Sequence, residues 1–273
     1  MGIQDKVCVI TGGTSGIGRA LVKECLKQGA KVVTCGRDAT KLSTLKGECH
    51  SERLYIVQAD VSQEADCKQL FEETIRRTGR MDILINNAGI SMRALFDQLD
   101  NVEVIKQLME INFWGTVYCT HYAMEELLKN KGVVVGVSSI AGFRGLPGRT
   151  GYSASKFAMQ GFLEALRTEN LHTGLHVMWV SPGFTASNIR NTALNKQGRS
   201  QSETPLDEQK LMSAEEVASR IVQGIVQRKR TLVMTTQGKL TVWMNKLFPA
   251  LTDKLVYNHF KKEPGSPLQD AEL

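Results

Sequence analysis

The chain has 273 residues, a formal net charge of +6 and 42% hydrophobic residues. That length and apolar content support a buried core and exclude a disordered chain. The lysines and arginines are dispersed, which argues against nucleic acid as a partner.

Six cysteines (Cys8, Cys25, Cys35, Cys49, Cys67, Cys119) form no CxxC pair and have no histidine at metal-ligand spacing. They are expected to be reduced thiols of a cytoplasmic protein, with no metal site. The first strand pattern begins at Lys6, leaving no room for a signal peptide in this sequence. No window of 18 uninterrupted apolar residues suggests a membrane span.

In chain order, the apolar run 7–10 predicts a strand and 16–28 a helix. Further strands are predicted at 31–34, 54–57, 81–85, 133–137, 176–180 and 231–234, with helical stretches between them. Strands apolar on both faces and alternating with helices require a parallel sheet covered on both sides. The expected fold is a single-domain, Rossmann-type α/β unit with a doubly wound parallel sheet of about seven strands. Residues 1–237 form that catalytic unit, with a polar substrate lid at about 188–212. Residues 238–273 form an amphipathic extension and a tail expected to be loose from Glu263 onward.

Two motifs carry the chemistry. The first, Thr11-Gly12-Gly13-Thr14-Ser15-Gly16-Ile17-Gly18, follows a strand and opens a helix. Glycines let the backbone approach a dinucleotide pyrophosphate, and the helix N-terminus supplies N–H groups and a positive dipole. At the end of the second strand an acidic residue would favour NAD by holding the ribose 2′-hydroxyl. Here Gly36 is followed by Arg37, whose guanidinium can pair with a 2′-phosphate, so NADP(H) is the expected cofactor. Asp38 opposes a phosphate or caps the next helix. Asp60 and Val61 flank the adenine, or Asp60 is a plain helix cap.

The second motif, Tyr152-Ser153-Ala154-Ser155-Lys156, puts a phenol and an ammonium one helical turn apart. Reduction of a ketone needs a proton on oxygen as well as a hydride on carbon. A free phenol, with a pKa of about 10, is poorly matched to this at neutral pH. The Lys156 ammonium is expected to lower that value. Ser139 can donate to the substrate oxygen as charge develops. Asn112 lies in an apolar helical stretch, where a polar residue needs a partner.

With Asn86-Asn87-Ala88-Gly89 and Pro182-Gly183, these residues appear in an order that resembles the short-chain dehydrogenase/reductase family over roughly residues 5–235. The pattern looks most like hydroxysteroid dehydrogenases and ketosphinganine reductases. The resemblance implies a nicotinamide cofactor, a homodimer or homotetramer, and Ser139, Tyr152, Lys156 and Asn112 as the catalytic set. It implies that Lys156 also holds the nicotinamide ribose and that Asn112 anchors a water chain feeding protons to Lys156. It assigns Asn87, Ala88 and Gly89 to the adenine ribose and Pro182 and Gly183 to the cofactor. Thr185 or Ser187 then serves the carboxamide.

Ser91, Arg93, Phe143, Arg144 and Phe184 follow strand ends and are expected to face a hydrophobic carbonyl or alcohol substrate. In the extension, Leu240, Trp243, Met244, Leu247, Phe248, Leu251, Leu255, Val256 and Phe260 recur near helical spacing among lysines, with a break at Pro249. This surface covers the pocket, another subunit or a membrane. The expected activity is an NADP(H)-dependent carbonyl/alcohol oxidoreductase. The alternatives are a cofactor-sensing binder without turnover and a peripheral membrane scaffold.

Overall fold

The computed structural model describes residues 2–183, 185, 189, 192–201 and 211–269. Phe184 and Ser187, and much of the expected lid, lie outside these.

The sheet has seven strands: β1 (Val7–Thr11), β2 (Lys31–Gly36), β3 (Leu54–Gln58), β4 (Ile83–Asn86), β5 (Val133–Val137), β6 (His176–Ser181) and β7 (Thr231–Val233). Their order is β3-β2-β1-β4-β5-β6-β7, and every pairing is parallel. The β-branched runs at β1, β4 and β5 are buried throughout, as strands covered on both faces must be.

The helices are α1 (Gly16–Lys27), α2 (Ala39–Cys49), α3 (Glu64–Thr78), α4 (Glu103–Met109), α5 (Gly115–Lys129), α6 (Thr150–Glu169), α7 (Ala214–Val226), α8 (Thr236–Leu247) and α9 (Pro249–Lys261). Alternate residues of β1 serve opposite layers. Cys8 and Ile10 join a core with Leu21 and Val22 of α1 and Val217 and Val222 of α7. Val7 and Val9 join the other, with Leu70 of α3, Leu127 of α5 and Leu163 of α6. All six cysteines are free, and burial pushes the Cys35 thiol up to about 12.

The chain reverses its direction of travel across the sheet between β1 and β4. Ligands of open parallel sheets bind in the crevice beyond the strand ends at such a point. Asn87 ties it together: its backbone N–H donates to Thr11 Oγ1 at 3.0 Å, and its side chain donates to Thr11 O at 2.9 Å and Gly12 O at 3.2 Å.

One expectation needs correction. The tail is not loose from Glu263, because Glu263, Ser266 and Leu268 are buried against the body. Asn112 lies in a helical stretch as expected, on a wider π-turn at Glu110–Trp114 that joins α4 to α5. No helix among the described residues is long and apolar enough to cross a membrane.

Candidate active site

A cleft of about 690 Å³ runs along the strand ends. One end is the glycine loop. Gly12 has φ +68° and sits so close to β4 that a Cβ there would lie 2.9 Å from Ala88 Cα. A Cβ on Gly18 would overlap Gly12 O and the Asn87 amide. Side chains at either place would push the loop away from the segment after β4, so glycine keeps a tight, bare backbone turn that fits a pyrophosphate beside the N-terminus of α1. Thr14, Ser15, Gly16 and Ile17 complete this wall, and Asp60, Val61, Ala88 and Gly89 face it.

Around the outer rim, Arg37 is largely exposed, and its Nη1 stands 3.8 Å from Asp60 Oδ2. Asp60 Oδ1 accepts from Ser62 N and Oγ at 3.0 and 2.8 Å. Asp38 caps α2 by accepting from Lys41 N at 3.0 Å. Arg19 and Lys41 also line the rim, with Arg19 hydrogen-bonded to Glu48. Sequence reasoning missed both. The spacing of Arg19 after the glycine loop and of Lys41 one turn into α2 was the available signal.

The other end of the cleft holds Ser139, Tyr152 and Lys156. Ser139 follows β5, and its Oγ accepts from Ala141 N at 3.2 Å, leaving the hydroxyl proton to be donated. Its neighbour Ser138 accepts from Gln160 Nε2 at 2.8 Å, a support from α6 that the motifs did not reveal. Lys156 is 3% exposed, donates from Nζ to Val137 O at 2.9 Å, and lies 5.8 Å from the centre of the Tyr152 ring. Burial alone holds the ammonium down at about 8.

The phenol departs from expectation. Burial pushes the Tyr152 pKa up, against a hydrogen bond with Ser139 and the charge of Arg149, which lower it. Within the protein alone, desolvation outweighs the Ser139 hydrogen bond and the Arg149 charge. Tyr152 is therefore a protonated acid at neutral pH.

Asn112 does not line the cleft but stands behind it. Its Oδ1 accepts from Ile90 N at 2.8 Å, and its Nδ2 donates to Ile90 O at 3.0 Å and Ser155 Oγ at 2.9 Å. Ser155 Oγ in turn donates to Tyr152 O at 2.8 Å. With its side chain fully engaged, Asn112 joins the β4 exit to the helix carrying both catalytic groups. A Cβ on Gly89 would lie 3.0 Å from Asn112 Oδ1 and 3.5 Å from Lys156 Nζ, so the three converge.

Pro182, Gly183 and Thr185 line the cleft. Thr185 turns its hydroxyl to Gly183 O at 3.0 Å. Of the expected substrate residues described, Ser91 lines the cleft and Arg93, Phe143 and Arg144 do not. The Arg93 guanidinium donates to Pro264 O at 2.7 Å. Phe143 O accepts from Asn245 at 3.1 Å. Arg144 is committed to Asn245 at 3.1 Å and to Asp253. These residues anchor the C-terminal extension rather than meet a substrate. The groups that do line this end include Ile90, Leu146 and Ile189, which pack in one cluster with Tyr152, and Arg149.

Residues 6–198 match the short chain dehydrogenase family. The chain belongs to that family. It is 36% identical over 254 residues to 11-beta-hydroxysteroid dehydrogenase-like 4A of Arabidopsis thaliana, covering 91% of this chain and 83% of the relative. A short chain dehydrogenase/reductase from Burkholderia phymatum, solved in complex with NAD, superposes with a TM-score of 0.80 at 21% identity, over 92% of this chain and 96% of that one. An alcohol dehydrogenase from the archaeon Thermococcus sibiricus, complexed with 5-hydroxy-NADP, gives 0.73 at 20% identity, over 84% and 95%. These two likenesses establish the same fold. Family membership makes the chain an oxidoreductase of the kind that acts on CH–OH groups.

Proposed function

We propose that this short-chain dehydrogenase uses NADP(H) to interconvert a ketone or aldehyde and an alcohol on an apolar, steroid- or lipid-like substrate. The observation that carries this reading is the convergence of Ser139, Tyr152 and Lys156 at one end of a cleft whose other end is the glycine cradle. The preference for a 2′-phosphate rests on Gly36 closing β2 without a carboxylate and on Arg19, Arg37 and Lys41, each of which can exchange its neighbouring carboxylate for a phosphate. Asp38 is occupied in capping α2.

The bound nicotinamide supplies the hydride. The chain's own residues do the rest. The α1 N-terminus and loop backbone hold the pyrophosphate. Ser139 donates to the substrate oxygen as negative charge builds there. Tyr152 gives that oxygen its proton, and the Lys156 ammonium stabilises the phenolate left behind. Asn112 and Ser155 keep the turn between Tyr152 and Lys156 in place. Ile90, Leu146 and Ile189 give the reacting end apolar walls. The name of the Arabidopsis relative points to the same substrate class.

The test is separate titration with NADPH and NADH, followed by NADPH consumption over ketosteroids, long-chain ketones and small aldehydes. Tighter NADPH binding with turnover of the apolar ketones is the expected result. Cofactor binding without turnover across the whole panel would leave a nucleotide-sensing protein and overturn the reading.

A further inference from the structure

Helices α8 and α9 form a hairpin whose outer side is apolar and unpaired with the rest of the molecule. On α8 the inward positions Gly238, Val242 and Asn245 are buried or half-buried, while Leu240, Trp243 and Leu247 are about half exposed. On α9 Thr252 and Phe260 are buried and Val256 is half-buried, while Leu251 and Leu255 face outward. Phe248, 51% exposed, joins the two stripes at the bend, where its ring meets Trp243 at 6.1 Å. Isolated exposed apolar residues are ordinary, but two aligned stripes on adjacent helices form a patch that calls for a partner.

Charge identifies the partner. Between residues 236 and 262 the cations are Lys239, Lys246, Lys254, Lys261 and Lys262, and the only carboxylate is Asp253. Arg144 pairs with Asp253 and offsets its charge. Lys239, Lys246 and Lys254 are exposed, each next in sequence to one of the outward leucines. The presented surface is therefore apolar and cationic. A second copy of the same face would bring like charges together as it buried the stripes. An anionic bilayer surface satisfies both features at once, with side chains inserting at the level of the headgroups and lysines meeting them.

We propose that the α8–α9 hairpin docks the protein peripherally on anionic lipid membranes. The clamp of Arg144 on Asn245 and Asp253 fixes the hairpin to the body so that the catalytic cleft remains complete on the lipid surface.

Sedimentation of the full chain with vesicles of phosphatidylcholine alone, or of phosphatidylcholine with phosphatidylglycerol, tests this. The protein is expected to pellet with the anionic vesicles, to bind the neutral ones far more weakly, and to be released by high salt. Reversing Lys239, Lys246 and Lys254 to glutamate should weaken anionic partitioning by at least roughly a hundredfold. Trp243→Ser with Phe248→Ser should abolish it, and both variants should keep the wild-type thermal transition because every substituted residue is exposed. Absence from both pellets, or equal binding to both vesicles, would overturn the proposal. So would a lipid-independent dimer that Trp243→Ser and Phe248→Ser dissolve, since that would assign the face to a second copy.

Discussion

At the scale of single residues, the site pairs two groups that burial moves in opposite directions. Tyr152 is held protonated and Lys156 is brought down to about 8, so near neutral pH the phenol can donate while most of the ammonium keeps its charge. Ketone reduction should therefore be level through neutral pH and decline with an apparent pKa near 8 as Lys156 loses its charge. A pH profile of kcat/KM checks this, and a rate still level in strong alkali would contradict it. The unfolded chain holds the Lys156 proton more tightly than the folded one, so this residue's contribution to stability rises with pH from about 8 toward the ordinary lysine value. Tyr152→Phe should lower kcat by about 10²–10⁴-fold while NADPH still binds, because it removes a proton donor and little volume. Arg37 acts on affinity instead. It is 62% exposed, so Arg37→Ala should weaken NADPH by only roughly tenfold and leave NADH nearly unchanged in a binding titration. These roles were legible because phenol, ammonium and glycine loop carry their chemistry in short spacings. The rise in the Tyr152 pKa was not, because burial is a property of the assembled cleft.

At the scale of elements, strands and helices were readable from apolar runs and their alternation, but the attachments between distant segments were not. Arg144 looked like a substrate residue because it follows a strand, yet its partners lie 101 and 109 residues away. The polar, Pro- and Gly-containing stretch after α9 looked loose for the same reason. In the fold, Glu263 is 6% exposed and its Oε2 lies 3.4 Å from Arg149 Nη2. The Arg149 guanidinium also covers the Phe260 ring at 4.7 Å. Arg93, in the loop after β4, reaches Pro264 O. Residues 260–264 thus strap the loop after β4 to the N-terminus of α6, although none of them lines the cleft. Glu263→Ala should cost about 3 kcal/mol in denaturant unfolding, since it leaves Arg149 buried with its pairing lost. A loss within ordinary surface scatter would show the strap to be passive.

For the whole molecule, a second apolar surface lies apart from the hairpin, next to the helices that carry the site. Trp114, just before α5, and Phe157, on α6, are 45% and 46% exposed. Trp114 stacks on Tyr118 at 5.6 Å, and Phe113 meets Phe162 at 6.4 Å, so the aromatic groups of the two helices form a continuous ridge. We propose that a second copy covers this ridge about a two-fold axis, giving a homodimer or a homotetramer built from such pairs. The lysine-studded hairpin would then be left facing outward. Light scattering at micromolar concentration should return at least twice the chain mass. Trp114→Glu with Phe157→Glu should reduce it to one chain, because the pairing would bury four unpaired carboxylates about the axis. The hairpin variants with Trp243→Ser and Phe248→Ser should keep the oligomer, since their surface is separate. A monomeric wild type would refute the pairing. The same monomer would leave vesicle binding unaffected, because the hairpin presents its stripes and lysines from a single chain.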